Sequence, residues 1–129
     1  MGARLRYGKI TDRELFFAQG GKLHPGLDNV ILVHDEPDVA AAFLVFRGWS
    51  DAHGSVTEQW RIEGPGGLIY ESVSREIHLP TKSHLERLED EVSDLKIDQV
   101  DGNYSCIFSL DEEEVGRVAF SVRQVSRER

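Results

Sequence analysis

Four residues that could form a hydrolase triad lie close together in the turn 48–54 and just beyond it. Ser50, Asp51, His53 and Ser55 supply the hydroxyl, carboxylate and imidazole groups that acyl transfer needs. Their spacing argues against that chemistry, because side chains so near one another on one short turn rarely reach triad geometry. The G-x-S-x-G pattern of a nucleophile elbow is also missing from the sequence. We therefore predict no catalytic residue in this turn.

The single cysteine, Cys106, is the other candidate nucleophile. A reactive cysteine needs a thiol pKa lowered by a nearby cation or a helix N-terminus, and the neighbouring sequence offers neither. Cys106 alternates with Tyr104 and Phe108, which puts it on the apolar face of a predicted strand. We expect a buried, reduced structural thiol. One cysteine also excludes an intrachain disulfide, which favours a reducing, cytoplasmic location.

Residues of the types that bind metals are scattered along the chain. The histidines show no H-x-x-x-H spacing, and no cysteine pair accompanies them. A site assembled from loops, for example from His34, Asp35, Asp51 and His53, is an alternative that the sequence leaves open. The acidic run 111–114 could bind calcium, but successive acids in a hairpin are more typical of a solvated tip. We predict no metal and no cofactor.

Length and charge limit the organisation and the partners. The chain has 129 residues and a formal net charge of −8. Because phosphates repel carboxylates, we expect no nucleic-acid partner and no membrane partner. The longest apolar run, 39–46, is far too short to span a bilayer, and the N-terminus has no signal-peptide pattern. The length predicts one domain, 1–129, in which 1–12 is a candidate loose N-terminal arm and 14–18 a first short strand.

Most of the remaining sequence has strand patterns. Residues 56–63 and 68–79 flank a Gly-Pro-Gly-Gly turn and predict a β-hairpin. The turn favours type II, with positive φ at its third residue, Gly66. Residues 104–110 and 115–125 predict a second hairpin around an acidic turn.

One segment carries a helical pattern instead. Ser83 and Glu86 form a capping-box pattern. Three apolar residues between Leu85 and Val92 lie at positions i, i+3 and i+7, on one side of a helix. We predict one short helix over 83–94. The chain is then mainly β, with about seven or eight antiparallel strands in a sandwich or barrel.

The stretch Asp101-Gly102-Asn103-Tyr104-Ser105-Cys106 resembles the start of strand F in immunoglobulin-like domains. In that family a tyrosine two residues before a buried cysteine hydrogen-bonds to nearby backbone and closes a corner. Trp60 resembles the core tryptophan of strand C, and the resemblance covers roughly residues 39–122. It implies an antiparallel immunoglobulin-like β-sandwich of the tyrosine-corner type, without a disulfide. Trp60, Tyr104 and Cys106 are then structural residues.

Residues 39–47 are apolar on both alternations, as in a strand that is buried on both sides. A two-layer sandwich covers only one face of each strand, so a second element must cover the other face. The candidates are the predicted helix, the N-terminal arm and a second copy of the chain. In the last case Ala41, Phe43 and Val45 form an exposed interface patch.

Two classes of function follow. The first is a non-catalytic protein-interaction or assembly module, whose partner is another protein or a second copy in a homodimer. The alternative is a small ligand-binding or hydrolytic β-sandwich with a site in the loops 35–38 and 48–54. A concave site with converging polar groups would favour the alternative, and a flat apolar contact would favour the first.

Overall fold

The computed structural model describes residues 3–34, 39–97 and 102–125. Within these ranges the chain is mainly β, as the sequence predicts, with nine strands and one short helix. The elements, in chain order, are β1 (Arg4–Asp12), α1 (Arg13–Ala18), β2 (Val30–His34), β3 (Phe43–Ser50), β4 (Gly54–Gly64), β5 (Gly67–Glu71), β6 (Arg75–Leu79), β7 (Glu86–Val92), β8 (Tyr104–Leu110) and β9 (Glu113–Val125).

All nine strands belong to one mixed sheet. The strand order is β5-β4-β8-β9-β2-β1-β3-β7, and β6 pairs with the half of β4 that β5 leaves free. Strand β2 lies between β1 and β9 and runs parallel to both. The purely antiparallel arrangement that the sequence predicts is therefore not formed. Parallel neighbours need a crossover connection, and α1 together with residues 19–29 provides one between β1 and β2.

The helix α1 occupies a segment for which the sequence predicts a strand. Asp12 is the N-cap of the helix, and its carboxylate accepts a hydrogen bond from the backbone N–H of Leu15 at 3.1 Å. The helix has six residues. No helix in the described part of the chain is long and apolar enough to cross a membrane.

Residues 4–12 are not a loose arm, because they form β1 inside the sheet. This strand pairs with β3 from Arg4 to Asp12, and Thr11 pairs with Val30 of β2. The sequence gives no clear strand pattern here, because polar and charged residues occupy much of β1. Of these residues, Lys9 and Thr11 lie on the outer face of the sheet, opposite Phe46 and Leu44 of β3.

The predicted helix at 83–94 is wrong, because this segment contains β7, an edge strand that pairs with β3. Along β7, Leu88, Asp90 and Val92 are more buried than the residues between them. An inward-facing aspartate conceals this alternation, since Leu88 and Val92 alone also fit a helical stripe. The outward positions carry Arg or Glu, which is typical of an edge strand that avoids pairing with other chains.

Both predicted hairpins are confirmed, since β4 pairs with β5 and β8 with β9 in antiparallel register. The first turn differs from the type II expectation, because the positive φ of 116° falls at Gly67 and not at Gly66. The single return strand expected over 68–79 is two strands, β5 and β6, which pair with successive halves of β4.

The sheet folds over so that β3 packs against β4 and β8 with the core between them. Trp49 and Phe108 meet edge to face there, with ring centroids 6.5 Å apart. Trp60, Tyr104 and Cys106 are all buried in the same core. Tyr104 lies against Phe120, with ring centroids 5.7 Å apart.

The predicted interface patch on β3 is wrong. Phe43 and Val45 are fully buried in the core of a single chain, and Ala41 is half-buried. The side chains of Phe43 and Val45 face inward, into the core that residues of β4 and β8 also form. Phe43 and Val45 are therefore not available to a second copy of the chain.

The opposite face of β3 is covered by an element that the sequence does not predict. Leu44 and Phe46 pack with Phe16 of α1 and with Leu27 of the following loop. The rings of Phe16 and Phe46 lie 4.9 Å apart. This small second cluster gives β3 an apolar contact on its second face within a single chain.

A buried ion pair joins the two layers. Arg47 donates to both carboxylate oxygens of Glu58 at 2.5 and 3.0 Å, and both side chains are 1% exposed. Arg47 also lies 3.1 Å from a carboxylate oxygen of Asp90. Asp90 accepts hydrogen bonds from the Trp60 indole at 2.7 Å and from Arg75 at 3.0 Å. Side chains thus bind β7 to β4 and β6.

We expect part of the folding stability to depend on the charge of Asp90. Burial by itself raises the pKa of Asp90, but the Trp60 hydrogen bond and the guanidinium groups of Arg47 and Arg75 outweigh it and hold this pKa below its ordinary value of 3.8. A carboxyl whose pKa is lower in the folded state stabilises the fold above its unfolded pKa, and this contribution disappears as the pH falls through the folded pKa.

In urea denaturation, the free energy of unfolding should therefore differ between wild type and Asp90→Asn by a constant amount from about pH 7 to about pH 5, and by less below about pH 4. A difference that stays the same at about pH 3 would show that the carboxylate charge is not what stabilises this contact.

Candidate functional site

The turn that follows β3 does not assemble a triad within the described residues. Trp49 is fully buried and so cannot line an open pocket. The Ser50 hydroxyl lies 3.2 Å from Arg6 and 3.3 Å from Asp51. Asp51 forms an ion pair with Arg6 of β1 at 3.6 Å. His53 is exposed and makes no hydrogen bond to Ser50 or Asp51. The side chains of Ser50 and Asp51 therefore contact β1.

The other candidates are the loop site that includes Asp35, and Cys106. Residues 35–38 lie outside the described residues. Burial raises the pKa of the Cys106 thiol well above its ordinary value of 9.0, so the sulfur stays protonated. Across 3–34, 39–97 and 102–125, no three His, Cys, Asp or Glu side chains gather in a way that could hold a metal ion.

A concave surface lies on the outer face of β1, β3 and β7. The strand register sets Tyr7 opposite Gly48, and Gly48 opposite Arg87, in one cross-strand row. The Tyr7 ring lies over Gly48, where an added Cβ would be only 2.4 Å from the ring atom Cε2. The next row on this face consists of Lys9, Phe46 and Glu89.

The loop after α1 forms the facing wall and is fixed to β1. The Lys9 ammonium donates a hydrogen bond to the backbone carbonyl of Leu27. The side-chain oxygen of Asn29 accepts a hydrogen bond from the backbone N–H of Ile10 at 3.0 Å. Leu27 itself is buried in the second cluster. The wall is thus held in place at its C-terminal end by two hydrogen bonds and a buried leucine.

The outer face and the wall border two adjoining clefts of ≈ 410 and ≈ 510 Å³, which share Tyr7, Leu23 and Arg87. We call the combined surface the β1–β7 groove. It is lined by Tyr7, Lys9, Phe16, Phe17, Gly21, Lys22, Leu23, His24, Pro25, Phe46, Arg87, Leu88 and Glu89.

The β1–β7 groove combines exposed apolar surface with positive charge. Phe17 and Leu23 are 55% and 38% exposed, although most large apolar side chains of the described chain are covered. Apart from His24, the charged lining residues are Lys9, Lys22, Arg87 and Glu89. Three cations therefore face one carboxylate, on a chain whose formal net charge is −8.

Tyr7 adds a hydrogen-bond donor to this surface. Burial raises the pKa of Tyr7 above its ordinary value of 10.0, and the positive charges of Arg87 and Arg47 offset this rise only in part. The phenol therefore keeps its proton at neutral pH and can donate it beside the Arg87 guanidinium. The groove is rich in donors and lacks a nucleophile held by a base, so it is suited to binding an acceptor-rich group.

None of the groove residues is among the site residues that the sequence predicts. Tyr7 and Lys9 fall in the expected loose arm, and Arg87 falls in the expected helix. One signal was available, since Gly48 lies inside a strand whose other residues are mostly apolar. A glycine inside a strand often marks a place where another group approaches the backbone closely.

The fold and this groove define a mainly β protein with a candidate binding surface. No family model matches the chain, and no curated protein matches it. Among solved structures, the chain is similar to alkylpurine DNA glycosylase AlkC of Pseudomonas fluorescens, bound to DNA containing an abasic site analog. The TM-score is 0.53 at 10% sequence identity, over 94% of this chain and 30% of that chain. A likeness at this identity concerns the fold alone, and this chain spans less than a third of AlkC.

Proposed function

We propose that this protein is a non-catalytic binding module that holds a segment of a protein partner in the β1–β7 groove. The observation that carries the proposal is the convergence of Phe17 and Leu23, both exposed, on one concave surface with a cationic rim. Leaving large apolar side chains exposed opposes folding and solubility, and contiguous exposed apolar surface is typical of interaction sites.

The groove's construction supports binding of an extended segment. Its wall is fixed to β1 through Lys9 and Asn29, so little ordering entropy is lost when a partner binds. Phe17 and Leu23 stay partly exposed beside the cleft, so the surface is an open groove and not a closed cavity. Enclosed pockets suit small molecules, whereas open grooves with apolar anchor sites suit peptides.

We also infer an immunoglobulin-like relationship for the fold. Trp60, Tyr104 and Cys106 lie in one core, and this shared burial supports the relationship. The parallel neighbours of β2 are a departure from an all-antiparallel sandwich. A cytoplasmic location belongs to the same proposal, which a single buried cysteine supports.

The test of the binding function uses two matched leucine variants. Leu23 lies in the groove, whereas Leu68 lies in β5 and is also exposed, at 54%. Twelve-residue random peptides displayed on phage are selected on wild type, and the enriched peptides are then synthesised. Because burying a leucine contributes about 1.5–3 kcal/mol, Leu23→Ser should weaken their binding by about tenfold to a hundredfold, and Leu68→Ser should not.

Two outcomes would overturn the proposed function. One is that no peptide is enriched over a bare support. The other is that the enriched peptides bind Leu23→Ser and Leu68→Ser equally well, since binding would then occur outside the groove. Equal urea midpoints for the two variants would show that both are folded, so that a difference in binding does not come from unfolding.

A further inference from the structure

The cations of the β1–β7 groove are arranged around its apolar floor. Arg87 lies in the same cross-strand row as Tyr7, with Gly48 between them. Lys9 occupies the next row beside Phe46, and Lys22 lies on the facing wall with the exposed Leu23. A ligand that fills the floor therefore has a cation within reach on each side.

We propose that the partner segment is an acidic peptide that carries an apolar side chain between its carboxylates, an inference that rests on the proposed function. The apolar side chain packs between Phe17, Leu23 and Phe46. The flanking carboxylates accept hydrogen bonds from Arg87 and from the Tyr7 hydroxyl. Arginine suits this role because its planar donors can bind a carboxylate through two parallel hydrogen bonds.

The charge distribution favours a peptide over a nucleic acid as the anionic partner. A nucleic acid carries a phosphate charge at every nucleotide along its length, whereas the groove supplies only three cations, Lys9, Lys22 and Arg87. Beyond the groove, a protein with net charge −8 repels a continuous polyanion. Glu89 also stands within the groove and opposes a uniformly charged strand, but a peptide can place an uncharged residue beside it.

The charge test uses two arginines of β7 and β9. Arg87 lines the groove, whereas Arg123 is exposed on β9 and lines neither cleft. Arg87→Glu and Arg123→Glu change the net charge of the protein equally. The peptides enriched on wild type should contain Asp or Glu on both sides of Leu, Ile, Phe or Trp. Because a charged hydrogen bond is lost, the affinity of the best synthetic peptide should be about tenfold to a hundredfold lower for Arg87→Glu than for wild type, and little changed for Arg123→Glu.

Further probes separate this inference from the proposed function. The best peptide with each Glu or Asp replaced by its amide should lose affinity for wild type, and its affinity should no longer depend on salt concentration. Enriched peptides that are neutral or basic, yet sensitive to Leu23→Ser, would overturn the acidic partner and leave the binding function standing.

Two alternative occupants are tested directly. A 12-nucleotide single-stranded DNA is the first probe. If it binds wild type more tightly than the best peptide does, and if Arg87→Glu abolishes this binding while Arg123→Glu does not, the groove is assigned to nucleic acid and the inference is overturned. The second probe is sedimentation, in which wild type could be a species heavier than the 14.6 kDa monomer, and Arg87→Glu a monomer. That result would assign the groove to a second copy of the chain and would also overturn the inference.

Discussion

Replacing Glu58 with glutamine is expected to destabilise the protein by about 3–5 kcal/mol. Glu58 and Arg47 are each 1% exposed, and both oxygens of the Glu58 carboxylate accept hydrogen bonds from the Arg47 guanidinium. The variant keeps the size of the side chain and removes its charge, so the Arg47 cation stays buried and loses its closest anion. Asp90 compensates only in part, because its carboxylate also binds Trp60 and Arg75. Urea denaturation measures the loss.

The matched control is an ion pair that is open to solvent. Glu114 binds Arg117 through two hydrogen bonds at 2.9 and 3.0 Å, but both side chains are substantially exposed. Glu114→Gln should leave the urea midpoint nearly unchanged, because water and salt screen such pairs. If Glu58→Gln changed the midpoint no more than Glu114→Gln does, the buried pair would not contribute to stability.

A double variant separates the cost of an unpaired charge from the value of the pair. Arg47→Met with Glu58→Leu removes both charges and fills the space with apolar atoms. Buried ion pairs replaced in this way often leave stability unchanged or increase it. We expect the double variant to recover most of the stability that Glu58→Gln loses. A double variant as unstable as the single one would show that the pair itself holds β3 against β4.

The sequence predicts the hairpins well because their information is local. In the β4–β5 and β8–β9 pairs, alternating apolar residues flank turns of glycine, proline or acidic residues. Each pair needs only neighbouring residues to form, so period-two alternation and turn chemistry are sufficient. The parallel neighbours of β2 depend on a crossover through α1, and no local pattern specifies which strands it brings together.

The prediction of a helix over 83–94 is wrong for a different reason. Its alternation is interrupted by Asp90, which faces inward only because Trp60, Arg47 and Arg75 satisfy its carboxylate. Those three partners come from β4, β3 and β6, all distant in sequence. A polarity pattern therefore cannot show that a charged side chain faces inward until the partners that neutralise it are known.

The groove could not be predicted, because its residues meet only in the folded chain. Tyr7 and Arg87 are eighty positions apart and become neighbours through two strand pairings that share Gly48. The sequence instead offers the loops 35–38 and 48–54 as the alternative site. In the structure the acidic group of the turn 48–54 binds an arginine of β1.

A second glycine, Gly64 at the end of β4, lies against the buried ring of Tyr104. A Cβ added at Gly64 would be 2.6 Å from the Tyr104 ring atom Cε2. Tyr104 is 3% exposed and packs against Phe120, so its ring has little room to move away. Gly66, two residues further on, has nothing within 4 Å of an added Cβ, and its φ is not in the left-handed region.

Gly64→Ala should therefore destabilise the protein by about 3 kcal/mol, near the upper end for overpacking a rigid core. Gly66→Ala should change stability by less than about 0.5 kcal/mol or slightly increase it, because alanine restricts the unfolded chain. Both variants add one methyl group to the same turn, so intrinsic residue preference cannot explain a difference between them. Adding Tyr104→Ala to Gly64→Ala should cost less than the two single losses together, since the clash is then gone. Strictly additive losses in urea denaturation would mean that Gly64 and Tyr104 do not compete for space, and that the hairpin is not stabilised by this contact.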